Sequence, residues 1–273
     1  MLVTEHAADH DHHDHAWQLP WMTAGVCELM EWSHELIAMS RAGYRSGTTE
    51  PRARYLAAYT LGNALSSAFR LDEALGCKRE ALRHARATGD PAPEVAVLNA
   101  LGCVQHDLGD CEAARATWHE GLAVARAHDV GYFGSHCLLN LGGCEIEGGH
   151  AAAGIDHVRE ALEAYQKLDA GFLQALAWSN LADGYALSGG RDQMIECADE
   201  AVRLFGEAGE IPPHAESLVK IARAYRAAGR TERARPLLEQ VVHAVRDPAN
   251  PWLAEAKRLL DTAGPDARPA GAL

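Results

Sequence analysis

The stretch LGCVQHDLG at residues 101–109 decides the fold, because its pattern returns every forty residues. It reappears as LGGCEIEGG at 141–149, LADGYALSG at 181–189 and IARAYRAAG at 221–229, and in weaker form as LGNALSSAF at 61–69. Each copy begins with a leucine or isoleucine followed by a small residue, and every copy except the one at 61–69 ends in glycine. This interval indicates a solenoid of stacked helical units with a long concave surface, so binding is expected before catalysis.

Further columns repeat with this pattern and predict helix, turn and helix in each unit. Glycine ends a helix in the left-handed conformation without steric cost, so it is expected to close the first helix of most units. Phe69 replaces that glycine in the first copy, and a different turn is predicted there. Two helices of about 16–18 residues fit in one unit. Two further columns, where helices must touch, hold mostly small side chains. Twelve residues after the small residue the column contains Ala74, Ala114, Gly154, Met194 and Ala234. Nineteen residues after it the column contains Ala81, Gly121, Ala161, Ala201 and Val241.

These columns, together with Tyr185 and Tyr225 three residues after the small residue, resemble the tetratricopeptide repeat (TPR). The resemblance covers five units over residues 51–246, with a period of forty where the family usually has about 34. It implies an all-α, right-handed superhelical solenoid of antiparallel helix pairs. The extra residues are expected to lengthen each helix by most of a turn.

The rest of the chain is divided around these five repeats. We expect a His/Asp-rich segment at 1–15 and a divergent helix pair at 16–50. A helix within 247–262 is expected to cover the last repeat with its apolar face. Residues 263–273 contain proline, glycine and alanine with little to bury, and are predicted to be disordered.

A narrower resemblance begins upstream of the repeats. Two tryptophan-bearing stretches, Ala16–Trp21 and Glu31–Glu35, followed by five forty-residue units, are similar to the C-terminal region of the antibiotic-regulatory-protein class of bacterial activators. In that class a winged-helix DNA-binding part and an NB-ARC nucleotide-binding module precede the repeats. The sequence has no Gly-x-x-x-x-Gly-Lys-Ser/Thr phosphate loop, so nucleotide hydrolysis is not expected. The resemblance implies a regulatory role.

Composition narrows the classes of partner. The formal net charge of −13 opposes binding to a phosphate backbone, so no direct contact with nucleic acid is expected. No apolar run reaches the length of a membrane span, and the N-terminus does not resemble a signal peptide, so we expect a cytoplasmic protein with no membrane contact. The seven cysteines include no Cys-x-x-Cys pair and are expected to be reduced; Cys137 and Cys144 are predicted to pack as small apolar residues.

The first helix of each repeat is expected to line the concave groove, as the tetratricopeptide resemblance implies. The groove is mixed in character and not uniformly charged. It does not reproduce the lysine clamp that binds chaperone tails in this family, because Tyr59 and His136 stand at two of the lysine positions. The predicted groove residues are Tyr59, Asn63, Asn99, Cys103, His106, Asp107, His136, Glu147, Asp183, Arg223 and Arg226.

Two groups within this set have more than one interpretation. Arg223 and Arg226 lie three apart on one helix, so they can hold a carboxylate or phosphate together, or form internal ion pairs with Asp183 and Glu216.

Cys103, His106 and His136, with Asp107 adjacent, have side chains that can bind zinc or support nucleophilic attack; the alternative is ordinary groove-lining residues. The run Asp9–His15 offers nitrogen and oxygen ligands but no fixed scaffold. No resident metal and no cofactor are therefore predicted.

The sequence thus predicts a non-catalytic module that binds a peptide or protein, in transcriptional or signalling regulation. No hydrolase elbow, zinc-protease helix or dinucleotide turn is present. The alternative is a solenoid that binds a small molecule or a metal, or an unusual enzyme that uses groove His, Cys and Asp residues.

Overall fold

The chain is entirely helical wherever the computed structural model describes regular structure, namely within residues 18–20, 22–23, 33–45, 49–208, 215–245, 248 and 250–262. The first segments, 18–20 and 22–23, are short helical pieces. The longer helices, numbered here in chain order, are α1 (Ser33–Arg45), α2 (Pro51–Ser67), α3 (Leu71–Ala87), α4 (Pro91–Asp107), α5 (Cys111–His128), α6 (Gly131–Glu147), α7 (Ala151–Lys167), α8 (Gly171–Ser188), α9 (Arg191–Ala208), α10 (Ala215–Ala227), α11 (Thr231–Ala244) and α12 (Pro251–Asp261).

The helices from α2 to α9 explain the forty-residue period. Each has 17 or 18 residues, and the turns between them take two or three. The prediction of two helices of about this length per unit is confirmed. Because consecutive helices are joined so tightly, each must return alongside its predecessor, which produces helix pairs.

The chain divides into two compact units, Met1–Leu141 and Gly142–Leu273. In the first unit, Leu36 and Ile37 of α1 form one hydrophobic cluster with Leu61 and Leu65 of α2. A second cluster includes Ala58, Ala81, Leu98 and Leu101. The core of the second unit is built from buried side chains of α7 to α12, among them Val158, Tyr165, Leu181, Phe205, Tyr225, Leu238 and Leu253.

The turn after α2 corrects one prediction. Phe69 has φ of 54°, in the same left-handed region as Gly109, whose φ is 82°. Its backbone N–H donates to Ser66 O at 2.9 Å and the N–H of Arg70 donates to Leu65 O at 2.9 Å, the same pair of bonds that closes the turn at Gly109. The first unit therefore makes the same turn as the others. A bulky residue thus adopts a conformation here that glycine adopts more easily.

The small-residue columns allow the two helices of a pair to approach closely. Gly142 of α6 and Gly154 of α7 lie opposite each other in the second unit: a Cβ added to Gly154 would lie 2.5 Å from Gly142 O and 3.0 Å from the backbone nitrogen of Ile146. In the first unit, the Trp118 ring fills the space beside Gly102, and its Nε1 donates to Asn99 O at 3.1 Å. A small residue on one helix thus makes room for a larger neighbour or for backbone.

Replacing Gly154 by alanine is expected to lower the free energy of unfolding by about 1–3 kcal/mol, because the new methyl group meets backbone atoms that no rotamer change can move. Gly206→Ala is the matched control. Gly206 lies in α9 with no atom within 4 Å of an added Cβ, so alanine there should stabilise the helix by roughly 0.5 kcal/mol. Urea denaturation followed by circular dichroism measures both. Equal effects of the two substitutions would show that the helices do not approach closely at Gly154.

Candidate functional site

In the first unit, a buried lysine lies beneath the predicted groove residues of α2. Lys78 is 1% exposed, and its Nζ donates to Tyr59 O at 3.1 Å and to Asn63 Oδ1. The same Nζ lies 3.9 Å from the centre of the Tyr59 ring. Burial lowers the pKa of Lys78 to about 7; among the described residues, the interactions with Cys103 and Cys77 act in the opposite direction.

The next two repeats contribute a pair of asparagines. Asn140 of α6 donates through Nδ2 to Asn99 Oδ1 of α4 at 2.9 Å, and the same Nδ2 lies 3.3 Å from the sulfur of Cys103. Both amides are half-buried. A carboxamide both donates and accepts hydrogen bonds, so a pair in this position matches the N–H and C=O groups of an extended peptide backbone.

The side chains proposed for zinc or nucleophilic chemistry do not converge. The His106 ring lies 6.0 Å from that of Trp118, and the His136 ring lies 4.8 Å from that of Tyr132. Burial lowers the pKa of His136, which favours the neutral ring. Among the described residues, Cys103, His106 and His136 do not form a group of ligand atoms within 4.8 Å of one another. Their positions fit the interpretation as separate groove-lining residues.

A network of charges occupies the equivalent helices of the second unit. Lys220 of α10 is 2% exposed, and its Nζ donates to Glu216 Oε1 at 2.6 Å and to Asn180 Oδ1 at 2.8 Å. Glu147 at the end of α6 lies 3.1 Å from the same Nζ. Burial alone would lower the pKa of Lys220, but the carboxylates of Glu216 and Glu147 outweigh it and hold the pKa above the usual value, with Asp183 contributing.

The two arginines of α10 contact different partners. Arg223 Nη2 donates to Asp183 Oδ2 at 3.0 Å, an ion pair with the neighbouring helix α8. Burial raises the pKa of Asp183, although Arg223 and Lys220 oppose the shift. Arg226 instead donates to Leu259 O and to Thr262 Oγ1, which places its guanidinium at the C-terminal helix α12. The Arg223–Asp183 ion pair is one that the internal interpretation expected, whereas Arg226 bonds to a carbonyl and a hydroxyl oxygen and Glu216 pairs with Lys220.

A cavity of about 610 Å³ opens in the first unit beside the N-terminal ends of the first helices. Aromatic rings of Tyr55, Tyr59 and Phe133 line it, together with Leu56 and Val97. Its charged lining residues are Glu50, Arg52 and Asp90. The volume lies in the range of pockets that bind small molecules or side chains.

Sequence reasoning missed the buried lysines and the cavity. Lys78 had a signal, because it stands in a column where every other repeat has an apolar residue: Trp118, Val158, Ala198 and Leu238. Lys220 shares a column with Asn140 and Asn180, and all three turn out to make hydrogen bonds between repeats. The cavity had no such signal, since its lining comes from residues spread over 50–133.

Several sequence predictions lie outside the described residues. These concern the run Asp9–His15, the tryptophans Trp17, Trp21 and Trp32, and the tail 263–273. Of the predicted groove residues, Asp107 is the exposed last residue of α4. No helix in the described part of the chain is long and apolar enough to cross a membrane.

Comparison with known proteins agrees with this architecture. Residues 173–247 match the family model of the tetratricopeptide repeat. A search of curated proteins finds no match. Among solved structures, BtubC (BKLC) from P. vanneervenii matches with a TM-score of 0.59 and 16% identity, over 90% of this chain and 96% of that chain.

Two further structures are complexes. The Rap protein complexed with Competence and Sporulation Factor matches with a TM-score of 0.66 and 16% identity, over 92% of this chain and 66% of that chain. NprR in complex with its cognate peptide NprX matches with a TM-score of 0.67 and 15% identity, over 89% and 69%. The chain thus spans about two thirds of each of these proteins. At these identities the likeness establishes the fold, and the predicted all-α, tetratricopeptide-type fold is confirmed.

Proposed function

Given a tetratricopeptide-type fold, we propose that this chain is a non-catalytic module that binds an extended peptide, or a peptide segment of a protein, along its first helices. The observation that carries the proposal is the Asn99–Asn140 amide pair, fixed at 2.9 Å and half-buried on adjacent first helices. A partner's backbone can bond to such amides without a matching side chain, so they provide affinity while neighbouring groups provide selectivity.

Two further observations support a peptide partner. Rap and NprR, which share the fold, were solved with Competence and Sporulation Factor and with a cognate peptide, respectively. Among the described residues, Cys103, His106 and His136 do not bring their ligand atoms within 4.8 Å of one another. A role in transcriptional or signalling regulation, and a cytoplasmic location, belong to the same proposal and are supported by the sequence resemblance to bacterial regulators.

Removing both amides is expected to weaken peptide binding by about tenfold or more, because two hydrogen bonds are lost together. Peptides are first selected on the wild-type protein from a random twelve-residue display library. Their affinities are then measured for the Asn99→Ala/Asn140→Ala variant by fluorescence anisotropy. Because both members of the pair are removed, neither amide is left without its partner.

The matched control is Gln166→Ala, which removes an exposed amide from the second helix α7 and should leave affinity unchanged. A circular dichroism melt confirms that each variant is folded. Failure to select any peptide, or equal affinity of the double variant and wild type, would contradict the proposal. Native mass spectrometry of the untagged protein purified from its own host gives an independent readout, in which a co-purifying polypeptide is the expected result.

A further inference from the structure

The cavity in the first unit has walls that attract cations. Tyr55 and Tyr59 of α2 and Phe133 of α6 line the same 610 Å³ space. The face of an aromatic ring carries partial negative charge, so an ammonium or guanidinium group is attracted to it. Within the protein itself, the Lys78 amine lies 3.9 Å from the centre of the Tyr59 ring.

The charged groups that line the cavity also favour a cation. Glu50 and Asp90 are both exposed and place two carboxylates there, against one guanidinium from Arg52. The whole chain has a formal net charge of −13, which adds a long-range attraction for basic partners. The two carboxylates would repel an acidic group.

The helix N-termini at this site do not turn it into an anion site. Glu50 accepts from the N–H groups of Arg52 at 3.1 Å and Ala53 at 2.6 Å, and so caps α2. Asp90 accepts from the N–H of Ala92 at 3.0 Å and caps α4. The backbone donors that would bind an anion are therefore occupied by the protein's own carboxylates. A carboxylate offers about four acceptor positions, so capping a helix does not prevent it from also accepting from a guanidinium or ammonium group.

We infer that this cavity takes an arginine or lysine side chain of the bound peptide and sets the selectivity of the module. The inference rests on the proposed peptide-binding function and adds the chemistry that a partner must carry. The amide pair Asn99–Asn140 bonds to the partner's backbone, and the aromatic, acidic cavity binds one basic side chain.

The first test uses single-residue probes. N-acetyl-L-arginine amide and its neutral isostere N-acetyl-L-citrulline amide are titrated into the full chain with ¹³C-labelled Tyr and Phe, followed by NMR. The arginine probe should shift the signals of Tyr55, Tyr59 and Phe133 and bind roughly fivefold or more tightly than the citrulline probe.

The Glu50→Gln/Asp90→Asn variant keeps oxygen acceptors for both helix caps but removes the charge, and should abolish that preference. The matched control, Asp72→Asn/Glu112→Gln, makes the same charge change at exposed positions in the first turns of α3 and α5 and should retain it. Equal binding of arginine and citrulline by the wild type would overturn the inference.

The second test uses the peptides selected on the wild-type protein. They should be enriched in Arg or Lys at one position, and citrulline there should cost about tenfold in affinity for the wild type but little for Glu50→Gln/Asp90→Asn. Selected peptides without a basic preference would overturn the cavity assignment and leave peptide binding standing. Binding of the arginine probe with no peptide selected would overturn both the peptide-binding proposal and the inferred role of the cavity, since the cavity would then bind a free cation.

Discussion

Replacing Lys220 by methionine is expected to lower the free energy of unfolding by about 2–4 kcal/mol. The lysine is 2% exposed and bonds to Glu216 at 2.6 Å, to Asn180 at 2.8 Å and to Glu147 at 3.1 Å. Methionine has a similar length and fills the same space. The loss therefore comes from carboxylates left without their counter-charge, and not from a cavity.

The size of this effect depends on how well water can reach the remaining carboxylates. The side chains of Glu147 and Glu216 are 29% and 45% exposed, so water compensates part of the loss, and the expected cost falls below that of a fully buried pair. Asp183 is buried and keeps its ion pair with Arg223, which limits further disruption.

Urea denaturation at pH 7, followed by circular dichroism, measures this loss. Lys167→Met is the matched control, because it makes the same substitution at the exposed end of α7 and should change stability by less than about 0.5 kcal/mol. A loss at Lys220 no larger than at Lys167 would show that the charge network does not stabilise the second unit.

Replacing Lys78 by methionine is expected to change the pH dependence of stability, in contrast to Lys220. Lys78 is also buried, but among the described residues its partners are carbonyl and amide oxygens and a tyrosine ring, and no carboxylate bonds to it. Burial lowers its pKa to about 7 in the folded state, against about 10.5 for a lysine in the unfolded chain. Between about pH 7 and pH 10.5, this lysine therefore carries a proton in the unfolded chain that it lacks in the folded chain.

This difference fixes the sign of the effect. Where the unfolded state binds more protons, stability rises with pH, so the cost of burying Lys78 is complete below pH 7 and is relieved as pH rises towards 10.5. Relative to Lys78→Met, the wild type should gain about 3 kcal/mol between pH 7 and pH 9.5. Near pH 6 the variant should be the more stable protein. Its advantage is reduced only by the oxygen atoms of Tyr59 and Asn63, which lose a hydrogen-bond donor.

Urea denaturation of both proteins across pH 6 to 9.5 tests this expectation, because every other titrating group contributes equally to the two curves. Lys167→Met again serves as control and should run parallel to the wild type. Parallel curves for Lys78→Met and wild type would mean that Lys78 keeps its proton in the folded state, stabilised by its hydrogen bonds and the Tyr59 ring.

The two buried lysines show where reasoning from one sequence stops. Both have the same residue type and nearly the same exposure, and they differ in the groups that packing brings to them. Glu147 reaches Lys220 from 73 residues earlier in the chain, whereas the hydrogen-bond partners of Lys78 come from the preceding helix. Glu216 stands four residues before Lys220 and gives a local signal for its ion pair, but no local pattern indicates that Glu147 joins it. The arginines of α10 give the same lesson, since Arg226 turns to the carbonyl of Leu259.

The sequence by itself determined the repeat: the forty-residue period, the helix pairs, the glycine turns and the small residues between helices. These features depend on helical periodicity and backbone conformation, which act over a few residues and leave a visible pattern. Only the tertiary structure decided that Phe69 adopts the glycine turn, that one lysine meets carboxylates and the other does not, and that three aromatic rings enclose a cavity beside Glu50 and Asp90. For the lysines and the cavity, the physical reason is that most of their partners come from other helices and meet only after the helices pack, so these contacts depend on geometry that no short stretch encodes.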